Sequence, residues 1–240
     1  MDGGLLGEHG KLYTWAVPDQ PPKIKELEED GDFRSVECEN LLQEADVVCS
    51  NPPFSLFRDY VDQLVKHSSK FIIVGTLNAV TYRNVFPLIQ KNLIHFGVSV
   101  HGGGRAFHVP DDYPLEADSC GITEDGRKYI KVTGIRWFTN LNADIPFFEQ
   151  LELTKTYAGN EASYPKYDGF DAINVDKSID VPIDYPGVIG VPISFLDKLD
   201  PTEFEIVGLS KYVRGEKAGF SVNGESRYVR LLIRRVAPKN

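Results

Sequence analysis

The chain has few of the features that would place it outside a reducing aqueous compartment or tie it to a metal. Its three cysteines, Cys38, Cys49 and Cys120, are odd in number and form no close pair. That argues against a disulfide framework and a zinc cluster, and fits a reducing cytoplasm. No apolar run approaches the roughly 18 residues of a membrane span, and no basic-then-apolar leader opens the chain, so no membrane partner is expected. His9, His67, His95, His101 and His108 show no metal-ligand spacing. His101-Gly-Gly-Gly104 looks like an esterase oxyanion loop, but no Gly-x-Ser-x-Gly elbow accompanies it, which disfavours a triad hydrolase. Basic charge is also scarce: 26 Lys and Arg stand against 35 Asp and Glu.

What basic charge exists is gathered. Residues 206–240 carry 8 basic and 2 acidic side chains, and residues 66–140 carry 9 and 6. Residues 1–50 carry 4 and 12, and residues 141–205 carry 4 and 13. Phosphate contacts need a local basic face rather than a basic protein. The acidic balance nonetheless speaks against strong non-specific binding to nucleic acid. At 240 residues the chain can bury one sizeable core, or one domain with a smaller appendage.

The most telling phrase is Asp46-Val-Val-Cys-Ser50 followed by Asn51-Pro52-Pro53-Phe54. Val47 to Cys49 read as a short buried strand, and two consecutive prolines, with no N–H to donate, must end it. The residues before each proline are held out of the helical region, so the loop is stiff and extended. Such a loop fixes an amide, Asn51, and an aromatic face, Phe54, at the carboxyl end of a strand, where open α/β sheets bind ligands. That arrangement suits an exocyclic amine on a planar base. The Asn51 side-chain oxygen and the Pro52 carbonyl accept its two protons, and Phe54 stacks on the ring. The plain alternative is a turn, since Asn-Pro initiates turns. An amphipathic helix carrying Phe57, Tyr60, Val61, Leu64 and Val65 follows the loop.

The chain resembles the EcoRI-type adenine-specific DNA methyltransferase family. Besides Ser50-Asn-Pro-Pro-Phe-Ser-Leu-Phe-Arg58, the similar phrases are Gly31-Asp-Phe-Arg-Ser35, Asn78-Ala-Val-Thr-Tyr82, Trp137-Phe-Thr-Asn-Leu141, Tyr164-Pro-Lys-Tyr-Asp168, Ala172-Ile-Asn-Val-Asp176, Gly190-Val-Pro-Ile-Ser-Phe-Leu196 and Leu231-Leu-Ile-Arg-Arg235. The resemblance implies N6 methylation of a flipped adenine in double-stranded DNA, in a restriction–modification setting, with S-adenosylmethionine as cofactor and no metal. It makes Asn51, Pro52, Pro53 and Phe54 catalytic. It places Asp32 and Phe33 where a carboxylate takes the cofactor's adenine amine and an aromatic packs on its ring. On the residues alone, Gly31-Asp32 reads equally as a turn with Asp32 capping the next helix. Asn78 and Tyr82 either line the base pocket or mark a strand end and a helix start.

The expected fold is α/β: an incomplete Rossmann-like methyltransferase sheet closed by a β-hairpin, with a loop-rich, β-containing C-terminal appendage. Residues 1–30 form a poorly specified lead-in with a strand near Lys11 to Val17. Residues 31–143 form the catalytic-motif portion, with strands at Lys70 to Gly75 and Leu93 to Val100, and a helix between Tyr82 and Lys91 that Pro87 kinks or delays. Ile130 to Gly134 and Ile135 to Thr139 form the closing hairpin. Residues 144–240 form the appendage, with a hairpin turn at Asn223-Gly224. Lys211, Arg214, Arg227, Arg230, Arg234 and Arg235 make a basic strip there, of which Lys211, Arg230 and Arg234 are the DNA-binding candidates. Ion pairing with the acidic stretch 141–205 is the alternative.

Methyltransferases of this class bind the methionine part of the cofactor after the first strand, and nothing before Asp32 supplies that unit. A fragment, a mis-started frame, half of a split enzyme whose second polypeptide supplies the cofactor-binding part, or a decayed pseudoenzyme all remain open. Two further functions stay beside the first: a non-catalytic DNA-binding or interaction remnant, and a methyltransferase acting on a protein glutamine amide.

Overall fold

The computed structural model describes residues 9–17, 19–97, 105–116, 119–141, 150–213 and 220–236. The first part opens with strands β1 (Lys11–Thr14) and β2 (Lys23–Glu26), then helix α1 (Val36–Glu44), β3 (Val48–Ser50), α2 (Phe57–Lys66), β4 (Phe71–Thr76), α3 (Phe86–Gln90) and β5 (His95–Phe96). Strands β6 (Arg105–His108), β7 (Cys120–Ile122), β8 (Lys128–Val132) and β9 (Ile135–Thr139) follow. The second part holds β10 (Lys166–Tyr167), β11 (Phe170–Asn174), β12 (Val188–Pro192), β13 (Phe204–Leu209), α4 (Ser210–Val213), β14 (Ser221–Val222), β15 (Glu225–Ser226) and β16 (Arg230–Arg235). The result is a mixed α/β protein with several small sheets and few helices. Among the described residues no helix is long and apolar enough to cross a membrane.

Local sequence accounts for the elements of the first part. Ser35 caps α1, its Oγ accepting from the Cys38 N–H at 3.2 Å, as a hydroxyl before a helix should. Helix α2 buries Phe57, Val61 and Leu64, spaced one turn apart, against β4. In α3, Pro87 falls in the first turn, where the missing N–H costs nothing, so the helix starts late rather than kinking. Gly75 in β4 makes room for α2: a Cβ there would lie 2.5 Å from Phe57 Cε2 and 2.9 Å from Phe138 Cε2.

The central sheet has the order β3-β4-β9-β5, with β3 parallel to β4 and β9 antiparallel to both neighbours. Two expectations need correction. Strand β3 is an outer strand of this sheet, with Val47 and Cys49 exposed, and is not buried. The closing hairpin of Ile130–Gly134 with Ile135–Thr139 does not form. Strand β8 pairs instead with β6 and β7 in a separate three-stranded sheet, while β9 inserts between β4 and β5. The reason is burial. Arg136, Phe138 and Thr139 of β9 are buried, whereas β8 buries none of its residues and suits a surface sheet. Gly134, at φ +71°, turns the chain from one sheet to the other, and its carbonyl accepts from the Leu77 N–H at 2.6 Å.

The C-terminal sheet runs β10-β11-β12-β16-β13. The Asn223-Gly224 turn is present, both residues at positive φ, joining β14 to β15 as its sequence predicts. Strand β16 is not an exposed arginine ribbon but lies between β12 and β13, with Leu231, Leu232 and Ile233 fully buried on its two faces. One apolar core runs through both parts, from Phe57, Phe71 and Phe138 to Ile173, Ile189 and Leu231. A buried pair bolts them together: Arg136 of β9 donates through Nε and Nη2 to Asp197 at 2.7 and 2.6 Å.

Candidate active site

Strands β3 and β4 run the same way, so their carboxyl ends share one edge of the central sheet. Asn51 leaves β3 at that edge, and the loop Asn51-Pro52-Pro53-Phe54 passes into a short 3-10 turn over Phe54–Leu56 before α2 begins. Pro52 is buried, which anchors the loop, while Asn51, Pro53 and Phe54 are exposed. The Pro53 carbonyl is occupied by the Leu56 N–H at 2.9 Å. Among the described residues, neither the Asn51 side chain nor the Pro52 carbonyl has a hydrogen-bond partner. Two acceptors and an exposed ring thus stand side by side on a stiff loop. That is what a planar amine needs.

Helix α2 gathers the other candidates. On one side its Tyr60 meets the edge of Phe33, ring centroids 5.0 Å apart at 88°, and its Gln63 Nε2 donates to the Phe33 carbonyl at 2.8 Å. On the other side Arg58 lies over the Tyr82 ring at 5.1 Å, and Asn84 Nδ2 donates to the Arg58 carbonyl and to Asp62 Oδ1 at 3.0 and 2.8 Å. Asn78 is exposed in the short helical turn after β4, next to the Gly134 contact. Asp32–Phe33, the Asn51 loop and Tyr82 are therefore all tied to one ten-residue helix. The sequence marks Asp32, Phe33, Asn51, Phe54 and Tyr82 as candidates but not their ties to α2. Tyr60 was visible only as a helix-face aromatic, and nothing in the sequence pointed to Gln63 or Asn84.

Asp32 is not the cap of α1, a place taken by Ser35. Its Oδ1 accepts from the Arg34 N–H and Nε at 2.8 and 2.9 Å, and its Oδ2 from Arg34 Nη2 at 2.6 Å. These hydrogen bonds from Arg34 hold the carboxyl down at about 2, against 3.8 ordinarily. The guanidinium also lies over the Phe33 ring, 5.4 Å from its centroid. The Asp32–Phe33 pair thus already holds a flat N–H donor, on its carboxylate and on its ring. Among the described residues no group of His, Cys, Asp and Glu could hold a metal ion.

The basic strip divides. Lys211 in α4 lies over the Tyr212 ring, and the Tyr212 hydroxyl donates to the Thr81 carbonyl at 2.6 Å, which brings α4 to the segment between Asn78 and Tyr82. Arg230 is buried, its Nη2 paired with Asp176 and its backbone N–H given to Ser210 Oγ at 2.8 Å. Arg234 pairs with Glu205 at 2.7 Å and Arg235 with Glu203 at 3.6 Å. All three carboxylates lie in the acidic stretch, so the ion pairs set against DNA contact in the sequence are present. Beside Arg230, burial pushes the Tyr167 hydroxyl up to about 12. Arg214 and His101–Gly104 lie outside the described residues.

A parallel strand pair ending in an Asn-Pro-Pro-Phe loop, with the aromatics around it fixed from the following helix, defines an α/β protein with a candidate ligand site at the carboxyl end of β3. The chain belongs to the EcoRI family of adenine-specific methyltransferases, whose description, "Adenine-specific methyltransferase EcoRI", matches residues 19–236. It is 47% identical to the type II methyltransferase M.EcoRI of Escherichia coli over 205 residues, covering 85% of this chain and 62% of that protein. It is 36% identical to M.MgeORF184P of Mycoplasma genitalium over 87% of this chain and 70% of that protein. Identity to M.MpnI of Mycoplasma pneumoniae is also 36%, over 88% and 72%. The chain thus spans less than two thirds of the E. coli relative. No solved structure matches it significantly.

Proposed function

We propose that this chain carries the base-orienting half of an adenine N6 DNA methyltransferase of restriction–modification type, with double-stranded DNA as substrate and S-adenosylmethionine as methyl donor. The observation that carries the reading is the pair of free acceptors at Asn51 and Pro52 beside the exposed Phe54. The target adenine leaves the helix stack, because its amine is out of reach inside a duplex. The Asn51 side-chain oxygen and the Pro52 carbonyl accept its two N–H protons, which turns the nitrogen lone pair out of the ring plane. Phe54 stacks on the base and fixes its height. Asn78 and Tyr82 wall the pocket, and Lys211 reaches the duplex phosphates near the same edge. Asp32 and Phe33 hold the donor's adenine end, and when bound the donor supplies an electrophilic methyl group. Positioning, rather than a covalent intermediate on the protein, lowers the barrier.

The strand order supports an incomplete Rossmann-like sheet, closed by antiparallel β9 and β5 in place of the expected hairpin. On this reading residues 31–143 are the catalytic-motif portion, 144–240 the appendage and 1–30 the lead-in. On this reading the methionine-binding part adds its strands at the outward edge of β3, which pairs with β4 alone among the described residues. The ion pairs of Arg230 and Arg234 favour a second reading, an interaction remnant with little phosphate contact. Asn51→Ala, placed in the methylation-competent protein, separates the two. The first reading expects N6-methyladenine formation to fall about 100-fold or more with folding unchanged. Wild-type rates from that variant would refute it.

A further inference from the structure

Arg34 makes two contacts at once that a cofactor's adenine would need to itself. Its guanidinium spans both Asp32 oxygens, Nε to Oδ1 at 2.9 Å and Nη2 to Oδ2 at 2.6 Å. The same group covers a face of Phe33 at 5.4 Å. An adenine has the same shape of demand, a flat conjugated body to stack and an exocyclic N–H to donate. One ring face and one carboxylate fork hold one such plane at a time.

The platform is tied to α2. Phe33 packs perpendicular to Tyr60, and its carbonyl accepts from Gln63. The movable member is Arg34, whose side chain is 55% exposed. Asp59 and Asp30 also attract its charge, so carboxylates wait nearby when it swings out. We propose that Arg34 is a stand-in for the donor's adenine: it fills the Asp32–Phe33 subsite in the empty protein and is displaced on binding. The inference rests on the assignment of Asp32 and Phe33 made above. It adds a residue that sets cofactor affinity by competition rather than by contact.

The size of the effect follows from exposure. An ion pair between exposed side chains is weak in water, so the competition is worth a few-fold and no more. Isothermal titration of wild type, Arg34→Ala, Arg34→Lys and Asp32→Asn with S-adenosylmethionine, and separately with adenosine, tests it. Arg34→Ala should bind both about 2–5-fold tighter, and Arg34→Lys, which loses the planar stack but keeps the charge, should fall between. Asp32→Asn should bind both more weakly. Weaker or equal binding by Arg34→Ala, with binding lost in Asp32→Asn, overturns the stand-in and leaves the cofactor reading intact. Unchanged binding in Asp32→Asn removes the cofactor reading and the inference with it, as does the absence of binding by wild type and Arg34→Ala alike.

Discussion

Replacing Asp197 by alanine tests whether the two parts of the chain are one cooperative unit. The carboxylate sits 2.7 and 2.6 Å from two nitrogens of Arg136, and the two side chains are 8% and 7% exposed. Removing it leaves a guanidinium buried, with the Ile135 carbonyl at 2.8 Å as an acceptor for Nη1. Breaking a buried pair from one side costs about 3–5 kcal/mol, most of it the penalty of the stranded charge. At roughly 2–4 °C per kcal/mol for a chain of this size, the melting temperature falls by about 6–20 °C. Urea unfolding followed by tryptophan fluorescence and by far-ultraviolet circular dichroism supplies the readout. Trp137, next to Arg136 in β9, reports on the central sheet. The two probes should move together in wild type. The double replacement Arg136→Met with Asp197→Leu should recover most of the loss, because neither charge is then buried. A loss under about 1 kcal/mol in the single variant would show that water reaches the pair and that the bolt is not there.

Arg230→Ala, which removes the buried partner of Asp176, should lose about 1–3 kcal/mol in the same urea assay and leave the salt dependence of DNA binding untouched. Lys211→Ala should do the reverse, flattening the plot of log affinity against log salt by roughly 0.9. A flattened slope in Arg230→Ala would reverse the assignment. Asp32 gives a pH test with a fixed sign. Its carboxyl is lowered from 3.8 to about 2 in the folded chain, so its contribution to stability is complete above pH 3.8 and disappears as pH falls through about 2. Carboxyl carbon NMR titration should place its midpoint near 2 in wild type and closer to 3.8 in Arg34→Ala. A midpoint that stays near 2 in the variant would show that Arg34 is not what holds it down.

The local structure of the candidate site was legible, because its chemistry is local. Two prolines after a β-branched run, an aromatic beside them and an amphipathic helix behind them need no distant residue to be recognised. The Asn223-Gly224 hairpin was readable for the same reason. The misses are non-local. Ile130–Gly134 and Ile135–Thr139 are adjacent in the chain and both strand-like, yet β9 takes partners from Phe71–Thr76 and His95–Phe96. Only burial separates them, and neighbouring sequence does not encode it. Arg230, Arg234 and Arg235 read in the sequence as part of a basic strip, but Leu231-Leu-Ile233 between them is a continuous apolar run, the mark of a strand covered on both faces. Asp32 reads in the sequence as a helix cap or a cofactor ligand; the cap is Ser35, and the Asp32 carboxylate takes Arg34, two residues along.

The position of β9 also dictates an order of assembly. It lies between β4 and β5, so those two strands cannot meet, and His95–Phe96 has no seat in the sheet until Ile135–Thr139 arrives. During synthesis the inner edge of β4, with Phe71 and Ile73, must wait while the whole three-stranded insert is made. Contacts this distant in sequence form slowly, because the loop must close before the pairing rewards it. The nascent chain therefore carries an open apolar strand through that interval. A ribosome-bound chain stalled with Ile135–Thr139 still inside the exit tunnel should be strongly held by chaperones, and one stalled with that strand outside it far less so.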